Sequence, residues 1–504
     1  MNLELFKNFA ADNHWQLLLP EISLGIIALA LLLLDIFWKG RDRRILYGVG
    51  FVGQALVLGA LVRKLGMMEP QYAFNGLIVQ STITQYMRVF FLVCSIIVYY
   101  LASIYFSKRE APRLEFYHIT LVITASMMLL VQSSHFIMMF VALETVTVGF
   151  YILVSYANNS RTFEAGVKYV ILGALSSAMM LFGIVLLYGI AGNVHLEGFT
   201  RDAMNFEALG AFMKYNAHNP LVITASLLVL VGVLFKIAIV PFQMWVPDVY
   251  QGAPMPVTAF LAVASKAAGF VLLINLLQGP FIELKDIFIL ILSVLAVLTI
   301  VLGNLSALGQ RNLKRLMGLS GVVHAGYLLV GVIAAYEVQW AIYVILFYLT
   351  TYMLASFAVF AVMSHKMSND ENVSDELEDY EMLHTENPFL AGVLTVAIGS
   401  LAGIPPLAGF IGKVLIFIAA FKAGLFWVLG FALLGVVMSI YYYFGWIREL
   451  YFKTWKTKDF LNEDKSPVEP LVLNWLHKMV LSVFVLLILV LGMYQGLWGH
   501  LLAK

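Results

Sequence analysis

Four charged residues lie inside long apolar runs, where a charge is costly. Glu144 lies in FVALETVTVGFYIL, Lys236 in VLFKIAIVPF, Lys266 in AFLAVASKAAGFVLL and Lys413 in AGFIGKVLIF. A charge at the centre of a membrane costs about 2.5–3.5 kcal/mol on insertion scales, so ionisable residues at this depth are usually functional. Because carboxylates and amines both bind and release protons, these residues predict a proton relay.

Two further titratable residues are secondary candidates for the relay. His324 lies in LSGVVHAGYLL, and Lys168 lies in FEAGVKYVILGALSS, about one turn inside its apolar run. Plainer interpretations stay open: Lys168 snorkels to the membrane interface, and His324 is a hydrogen-bonded core histidine. Glu144 and Lys236 can also be a static pair that only holds two helices together.

Elementary electrostatics shows how a carboxylate can control a buried lysine. Burial disfavours the charged form of an amine, and a nearby carboxylate favours it. At about 4 Å and an effective dielectric constant of ~20, the attraction is roughly 4 kcal/mol. Making or breaking a contact between Glu144 and Lys236 therefore predicts a lysine that alternately holds and releases a proton.

The composition of the chain places these residues in a membrane. Its 504 residues are 61% hydrophobic and 12% charged, with a mean hydropathy of +0.88, whereas soluble domains carry roughly 25% charged residues. A membrane helix needs about 20 mostly apolar residues. We therefore predict an all-α polytopic membrane protein with fourteen spans, near 15–37, 45–63, 83–106, 114–132, 135–156, 164–191, 219–243, 249–278, 284–303, 313–335, 338–364, 388–422, 425–451 and 472–499.

The distribution of basic residues predicts the orientation of the chain. Loops after odd-numbered spans carry 16 lysine and arginine residues, and the other loops together with the two ends carry 8. Because basic loops stay in the cytoplasm, odd-numbered loops are predicted to be cytoplasmic and both termini to lie on the other side. We expect a bacterial inner membrane location.

Two predicted spans contain proline at mid-depth. Span 7 has Pro241, and span 12 has Pro405 and Pro406 in LAGIPPLAGFIGK. Proline removes a helical hydrogen bond, and interrupted helices at matching positions of two halves indicate a transporter-type site. The two breaks lie five spans apart, which predicts two inverted five-helix repeats. The predicted units are 1–113 (spans 1–3), 114–278 (spans 4–8), 279–451 (spans 9–13) and 452–504 (a loop and span 14).

Other kinds of site find no support in the sequence. A net charge of +1 produces no positive electrostatic field that would attract nucleic acid. The single cysteine, Cys94, is predicted to pack in the core. The motif GVGFVG (48–53) resembles a dinucleotide fingerprint but lies in an apolar span, so we predict helix packing. We expect no cofactor and no metal on this chain. The hydrophilic loops 192–218 and 365–387 are predicted to be solvated linkers, with a subunit contact as the alternative for the second.

Several segments resemble a known family, the subunit N family of proton-pumping NADH–quinone oxidoreductase, or respiratory complex I. The resemblance covers nearly the whole chain and is carried by FKIAIVPFQMWVPDVYQGAPMPVTAFLAVASKAAG (235–269), FEAGVKYVILGALSSAMMLFGIVLLYG (163–189), LKRLMGLSGVVHAGYLL (313–329) and GIPPLAGFIGKVLIF (403–417). Lys413 after GFIG favours subunit N over the related subunits M and L. One departure is Gln243, where many relatives have histidine, so a proton role at that position is not expected.

The resemblance implies both a fold and a function. It implies fourteen helices, two inverted repeats and one proton route per antiporter-like subunit. It matches the family's functional residues to Glu144, Lys236, Lys266 and Lys413, with Lys168 and His324 as further matches. It implies membrane partner subunits of the A, H, J, K, L and M types, which lie with this chain in the lipid bilayer. NAD, FMN, iron–sulfur clusters and quinone are expected in partner subunits.

Three other functions remain open from the sequence. The first is a subunit of a multi-subunit sodium/proton antiporter, which shares PPLAGFIGK but lacks PDVYQGAP. The second is the equivalent subunit of a photosynthetic, ferredoxin-linked complex. The third is a structural scaffold with vestigial channels, for which charge-removing changes at Glu144 and Lys413 would be silent. The sequence does not identify the quinone, the proton stoichiometry or whether sodium is carried.

Overall fold

The fold is described here from a computed structural model of the chain. The structure describes residues 13–37, 43–66, 69–106, 115–157, 159–196, 199–369, 375–452 and 473–496. These residues form an almost entirely helical bundle with two short β-hairpins. The predicted all-α membrane fold is therefore confirmed.

Eighteen helices lie in the described part of the chain. In order, they are α1 (Leu19–Phe37), α2 (Arg43–Arg63), α3 (Thr82–Tyr105), α4 (Glu115–Gln132), α5 (Phe136–Val154), α6 (Ser160–Ala191), α7 (Phe206–Asn216), α8 (Pro220–Ile237), α9 (Val246–Gly252), α10 (Met255–Gln278), α11 (Lys285–Leu308), α12 (Leu313–Ala334), α13 (Ala341–Asn369), α14 (Leu383–Glu386), α15 (Pro388–Ala402), α16 (Ala408–Lys422), α17 (Phe426–Tyr451) and α18 (Trp475–Met493). The hairpins pair β1 (Gln71–Ala73) with β2 (Ile78–Gln80) and β3 (Asn193–Leu196) with β4 (Phe199–Asp202).

Twelve helices among the described residues are long and apolar enough to cross a membrane. Each coincides with one of the fourteen predicted spans. The other two predicted spans, the second and the twelfth, coincide with the shorter apolar helices Tyr47–Arg63 and Pro388–Ala402. The exact number of fourteen crossings therefore remains a prediction.

Predicted span 7 is broken into α8 and α9. Helix α8 ends at Ala238, which has left-handed backbone angles (φ 60°, ψ 46°). The amide of Ile239 donates to the carbonyl of Leu234 at 3.0 Å, and the amide of Ala238 donates to the carbonyl of Phe235 at 3.1 Å. This Schellman-type cap satisfies the last carbonyls of α8, so the chain can leave the helix before Pro241 without exposing them.

Predicted span 12 is broken in the same way into α15 and α16. Gly403 ends α15 with φ 87° and ψ 48°, a conformation that glycine adopts without steric cost. The amide of Ile404 donates to Gly399 at 3.0 Å, and that of Gly403 donates to Ser400 at 3.1 Å. The two breaks share one hydrogen-bond pattern and are followed by proline at the same spacing. This likeness supports the predicted repeats, whose boundaries remain predictions.

The centre of the bundle consists of α10, α12 and α13. Their apolar windows are completely buried, whereas only 22–33% of the corresponding windows of α1, α6, α17 and α18 is buried. The outer helices therefore present apolar side chains to lipid or to other subunits, as expected in a membrane. Charged residues on the three central helices are held away from lipid.

Two of the three glycines of GVGFVG lie at close helix contacts, as predicted, whereas a side chain at Gly48 would meet no neighbour within 4 Å. The missing side chain of Gly50 leaves room for Tyr99 of α3, and that of Gly53 leaves room for Ile27 of α1. These close approaches hold α2 against its two neighbours. Cys94 is buried and lies 3.5 Å from the sulfur of Met353, so it packs in the core.

The two long hydrophilic loops are more ordered than the predicted linkers. Loop 192–218 contains the β3–β4 hairpin and α7. In the second loop, Asp375 forms a buried ion pair with Lys314 at 3.2 Å, and Tyr380 is buried. The expectation of a solvated linker is wrong for the described part of this loop, since its acidic residues find partners at the start of α12.

Candidate functional site

Lys236 lies in the last turn of α8, directly before the first break. Its side chain is 2% exposed, and its Nζ donates a hydrogen bond to Thr147 Oγ1 of α5 at 3.1 Å. Nζ also lies 5.4 Å from the centre of the Phe150 ring, which is within the range of a cation–π contact. The lysine is thus held inside the bundle and does not snorkel to lipid.

Glu144 lies on α5, one turn from Thr147, and is half-buried. Its Oε1 accepts a hydrogen bond from Ser177 of α6 at 2.6 Å. Within the described part of the chain, no ion pair joins Glu144 to Lys236. The hydrogen-bond partner of Lys236 is therefore Thr147, and the predicted direct contact between Glu144 and Lys236 is not present in this structure.

Lys266 lies at the centre of α10, immediately after a π-helical turn (Leu261–Ser265). Such turns are frequent at functional sites. The side chain is 3% exposed, and its Nζ has no hydrogen-bond partner among the described residues. Its nearest aromatic contact is the ring of Tyr250, with Nζ 5.9 Å from the ring centre.

Lys236 and Lys266 lie on helices that touch at a glycine. A side chain at Gly269 would meet Ile237 at 2.5 Å and the Cγ of Lys236 at 3.6 Å. Gly269 follows Lys266 by three residues, about 4.5 Å along the helix axis. The two lysine stems therefore occupy neighbouring turns of adjacent helices, although no hydrogen bond joins them directly.

His324 lies on the fully buried helix α12 between two tyrosines. Its Nδ1 is 2.6 Å from the hydroxyl of Tyr348, and its Nε2 is 3.2 Å from the hydroxyl of Tyr443. A neutral imidazole can donate at one nitrogen and accept at the other. Both predicted roles of His324 remain possible with this geometry, because a hydrogen-bonded core histidine and a relay residue use the same contacts.

Lys413 lies near the start of α16 and reaches back across the second break. Its Nζ donates to the carbonyl of Leu401 at 2.8 Å and to that of Ala402 at 2.9 Å. It also lies 5.4 Å from the centre of the Tyr327 ring. The lysine thus binds the carbonyl end of α15, where the helix dipole favours a positive charge.

A small cavity connects the surroundings of His324 and Lys413. It measures about 10 Å³, enough for a single water molecule. The lining residues are His324, Tyr348, Thr351, Tyr352, Ser400, Leu401 and Gly409. Lys413 does not line the cavity, but it donates to the carbonyl of Leu401, which does, so the cavity lies between the histidine and the lysine.

Lys168 is the predicted residue that the structure does not bring to this group. It lies on the bundle surface with its side chain 43% exposed, and its Nζ is 2.8 Å from both Glu164 and Asp248. Asp248 also binds Arg315 of α12 at 2.8 Å. Lys168 is therefore part of a surface ion cluster that ties α6 and α9 to α12.

The sequence reasoning missed a second buried ionic network. Arg88 of α3 is 1% exposed and binds Glu21 of α1 through two bonds of 2.7 and 2.6 Å. Gln132 of α4 also donates to Glu21 at 2.7 Å. The available signal was one arginine and one glutamate near the same predicted ends of spans 1 and 3. Such fully bonded networks fix how helices meet.

Metal-binding groups are not found in the described ranges, where no three or more His, Cys, Asp or Glu residues come together. The buried cations Lys236, Lys266 and Lys413 would also repel a metal ion. The arrangement can instead bind and pass protons, since it combines amines, an imidazole, hydroxyls and open carbonyls.

Comparisons with known proteins show which family and fold this chain is similar to. A family described as "NADH:quinone oxidoreductase/Mrp antiporter, TM" matches residues 133–439. NADH-quinone oxidoreductase subunit N 1 of Opitutus terrae is 50% identical over 511 residues, covering 100% of both chains. A chain of respiratory complex I from Thermus thermophilus is 32% identical, with a TM-score of 0.77 over 95% of this chain and 98% of that one.

A likeness to a more distant complex concerns the fold alone. A chain of the Mrp complex from Dietzia sp. has a TM-score of 0.81 at 18% identity, over 96% of each chain. The full-length identity to subunit N is much higher, so the sodium/proton antiporter alternative is the less supported one. The chain is a multi-pass membrane protein that belongs to the subunit N family of NADH-quinone oxidoreductase.

Proposed function

We propose that this chain carries protons across the membrane as a subunit of an NADH–quinone oxidoreductase, by means of its buried lysines. The observation that carries the proposal is the burial of Lys236, Lys266 and Lys413 inside the bundle, the first and last of them at helix breaks. Three buried ammonium groups would cost on the order of 2.5–3.5 kcal/mol each at mid-membrane before their contacts are counted, and Lys266 Nζ has no hydrogen-bond partner among the described residues. Retaining them needs a functional reason.

The first step of the proposed route uses Glu144 and Lys236. When the carboxylate approaches the ammonium, it favours the protonated lysine by roughly 4 kcal/mol at about 4 Å. When no ion pair joins the two, as in this structure, the Thr147 hydroxyl and the Phe150 ring hold the amine. The lysine then releases its proton more readily, and Lys266 on the adjacent helix is the next acceptor.

The second half of the route runs from Lys266 through the surroundings of His324 to Lys413. The single-water cavity beside His324 and the carbonyls at the second break supply polar groups along this path. A broken membrane helix is tolerated where it lines a wet cavity. Polar groups at the breaks can thus hold a proton between the lysines, since two adjacent lysines that are both charged would repel each other.

We propose a role for Lys168 at the bundle surface, whereas its family match implies a role within the buried relay. Its partners Glu164 and Asp248 are on the bundle surface, so it would act at the mouth of the route. In the proposed orientation this mouth faces the cytoplasm, and both termini lie on the opposite side of a bacterial inner membrane.

We propose that the redox groups of the complex lie in partner subunits. NAD, FMN, iron–sulfur clusters and quinone would be bound there, with no redox site on this chain. The membrane partners would be the A, H, J, K, L and M types of subunit. Coupling then requires that quinone reduction in the partners changes the separation of Glu144 and Lys236.

The experiment is a measurement of proton transport in the assembled complex carrying Lys236→Ala. Inverted membrane vesicles are supplied with NADH, and proton uptake is followed with a pH-sensitive dye beside the rate of NADH oxidation. We expect the part of proton uptake that this subunit carries to fall about tenfold or more, as for loss of a proton-transfer group, so that total uptake per NADH oxidised falls by the share of one subunit. Lys285→Ala, at an exposed lysine outside the relay, is the matched control and should behave like the natural chain.

Two results would count against the proposal. Full proton uptake by an assembled Lys236→Ala complex would mean that protons do not pass this lysine. Purification of the chain without NADH-oxidising subunits, but with sodium-dependent proton exchange, would favour the antiporter alternative.

A further inference from the structure

The surroundings of Lys266 contain buried polar atoms that no protein group satisfies. Lys266 Nζ, Tyr250 Oη and Tyr352 Oη make no hydrogen bond of normal geometry among the described residues, and the side chain of Ser356 is a polar neighbour of Tyr352 on its own helix. Buried polar atoms in proteins are nearly always bonded, to protein or to ordered water. One such amine and two such hydroxyls on neighbouring side chains mark a place where water molecules are needed.

Gly321 of α12 is the residue that keeps this place open. A side chain there would meet Lys266 Nζ at 2.7 Å and Tyr352 Oη at 2.9 Å. Both polar atoms therefore point at one spot beside the Gly321 backbone. These two distances place Lys266 Nζ and Tyr352 Oη no more than about 5.6 Å apart. That is within the span of two hydrogen bonds, so one water molecule seated away from the Gly321 Cα can bond to both atoms.

Tyr352 leads from this spot toward His324. Its ring centre lies 5.1 Å from that of the His324 imidazole. Tyr352 and His324 also line the single-water cavity that reaches Leu401. Tyr352 thus borders both wet places, one on the side of Lys266 and one on the side of Lys413.

We propose that Tyr352 is a proton-transfer residue between Lys266 and His324, and that Gly321 is a positioning residue whose missing side chain keeps the passage open. The inference rests on the proposed function. A proton leaves the Lys266 ammonium for the bridging water, and that water passes one of its own protons to Tyr352 Oη. The hydroxyl releases its original proton toward the cavity beside His324, so the tyrosine ends neutral.

The test is Gly321→Ala in the assembled complex, assayed by NADH-driven proton uptake in inverted vesicles. The new methyl group displaces the flexible end of Lys266 and fills the water position, so folding should be retained. We expect the part of proton uptake that Lys266→Ala abolishes to fall about tenfold or more, since misplacement on the scale of 1 Å costs up to ~10²-fold. Co-purification of partner subunits reports assembly.

A matched control and a rescue separate transport from packing. Gly331→Ala adds the same methyl group ten residues further along α12, where it meets only apolar atoms, the nearest at 3.1 Å, and should leave proton uptake unchanged. Gly321→Ser places a hydroxyl near the water position. The relay predicts more uptake for Gly321→Ser than for Gly321→Ala, whereas a purely steric effect predicts no gain from the larger side chain.

Tyr352→Phe keeps the ring and removes the hydroxyl, so it decides the matter if Gly321→Ala fails to assemble. We expect the same loss of proton uptake as in Gly321→Ala. If Lys266→Ala is impaired while Tyr352→Phe and Gly321→Ala transport at the full rate, this inference fails and the proposed function survives. If Lys266→Ala itself transports at the full rate, both fail.

Discussion

Replacing Lys413 by methionine separates a functional lysine from a structural one. The lysine donates to the carbonyls of Leu401 and Ala402 at 2.8 and 2.9 Å, so Lys413→Met removes two hydrogen bonds at the second break. Methionine has a similar length and no charge, and it fills the same space between α15 and α16.

The expected change in stability is small because two effects oppose each other. Leaving a buried acceptor without a partner costs about 1–3 kcal/mol, hence roughly 2–6 kcal/mol for two carbonyls. Removing a charge from mid-membrane returns about 2.5–3.5 kcal/mol. The free energy of unfolding should therefore rise by at most about 1.5 kcal/mol or fall by at most about 3.5 kcal/mol, and the complex should assemble.

The expected change in proton transport is large. Without an amine at position 413, the proposed route ends at the cavity beside His324, and the part of NADH-driven proton uptake that this subunit carries should fall about tenfold or more. Lys422→Met is the matched control, since Lys422 ends the same helix and lies 5.4 Å from the centre of the Trp340 ring. That control should assemble and pump like the natural chain.

The result that refutes this reasoning is a stable, assembled Lys413→Met complex with undiminished proton uptake. Such a complex would assign Lys413 to helix capping alone. A complex that loses the subunit altogether would show that the hydrogen bonds outweigh the cost of the buried charge, contrary to the balance above.

Three further predictions concern the other contacts. Glu21→Gln leaves the Arg88 charge buried without its ion pair and should destabilise the subunit by about 3–5 kcal/mol, measured as a lower thermal midpoint. The double change Arg88→Leu with Glu21→Leu should recover most of the lost stability. An unchanged midpoint in Glu21→Gln would contradict the network. Asp375→Asn should loosen the loop over α12 by removing the partner of Lys314, measured as faster hydrogen exchange at 375–387; equal exchange rates would argue against the pair. Thr147→Val should slow proton uptake severalfold by removing the hydrogen bond that holds the separated lysine, and a faster rate would reverse the assignment.

The sequence predicts the helices and their breaks well because both follow from strong local signals. Apolar runs of about 20 residues have few alternatives in a membrane, and Pro241 and Pro406 interrupt hydrogen bonding wherever they lie. Several predicted boundaries differ from the observed helices by about five residues, and one has a clear cause. Span 8 was predicted to begin at 249, but α10 begins at Met255, because Ala253 precedes a proline and takes an extended conformation (φ −68°, ψ 151°).

The partners of the buried charges could not be predicted, since they lie on helices far away in sequence. Thr147 binds Lys236 across 89 residues, and Tyr443 binds His324 across 119. A threonine or tyrosine in an apolar run carries no sign of its use. The predicted Glu144–Lys236 contact was reasonable by charge, yet its distance depends on how α5 and α8 pack.

Lys168 shows the limit of reasoning from depth alone. Its position about one turn inside the predicted span allowed either a buried or a surface site, and the structure gives a surface ion cluster with Asp248. Gly321 shows the opposite limit, because a glycine in a helix has no chemistry of its own. Its importance follows only from the two polar atoms that meet beside it.

The central claim is best tested by a cryo-electron microscopy map of the assembled complex at a resolution that reveals ordered water. The account predicts waters within hydrogen-bond distance of Lys266 Nζ and Tyr352 Oη, a further water beside His324, and polar contacts that continue to Lys413. Dry, apolar packing between these side chains would contradict it.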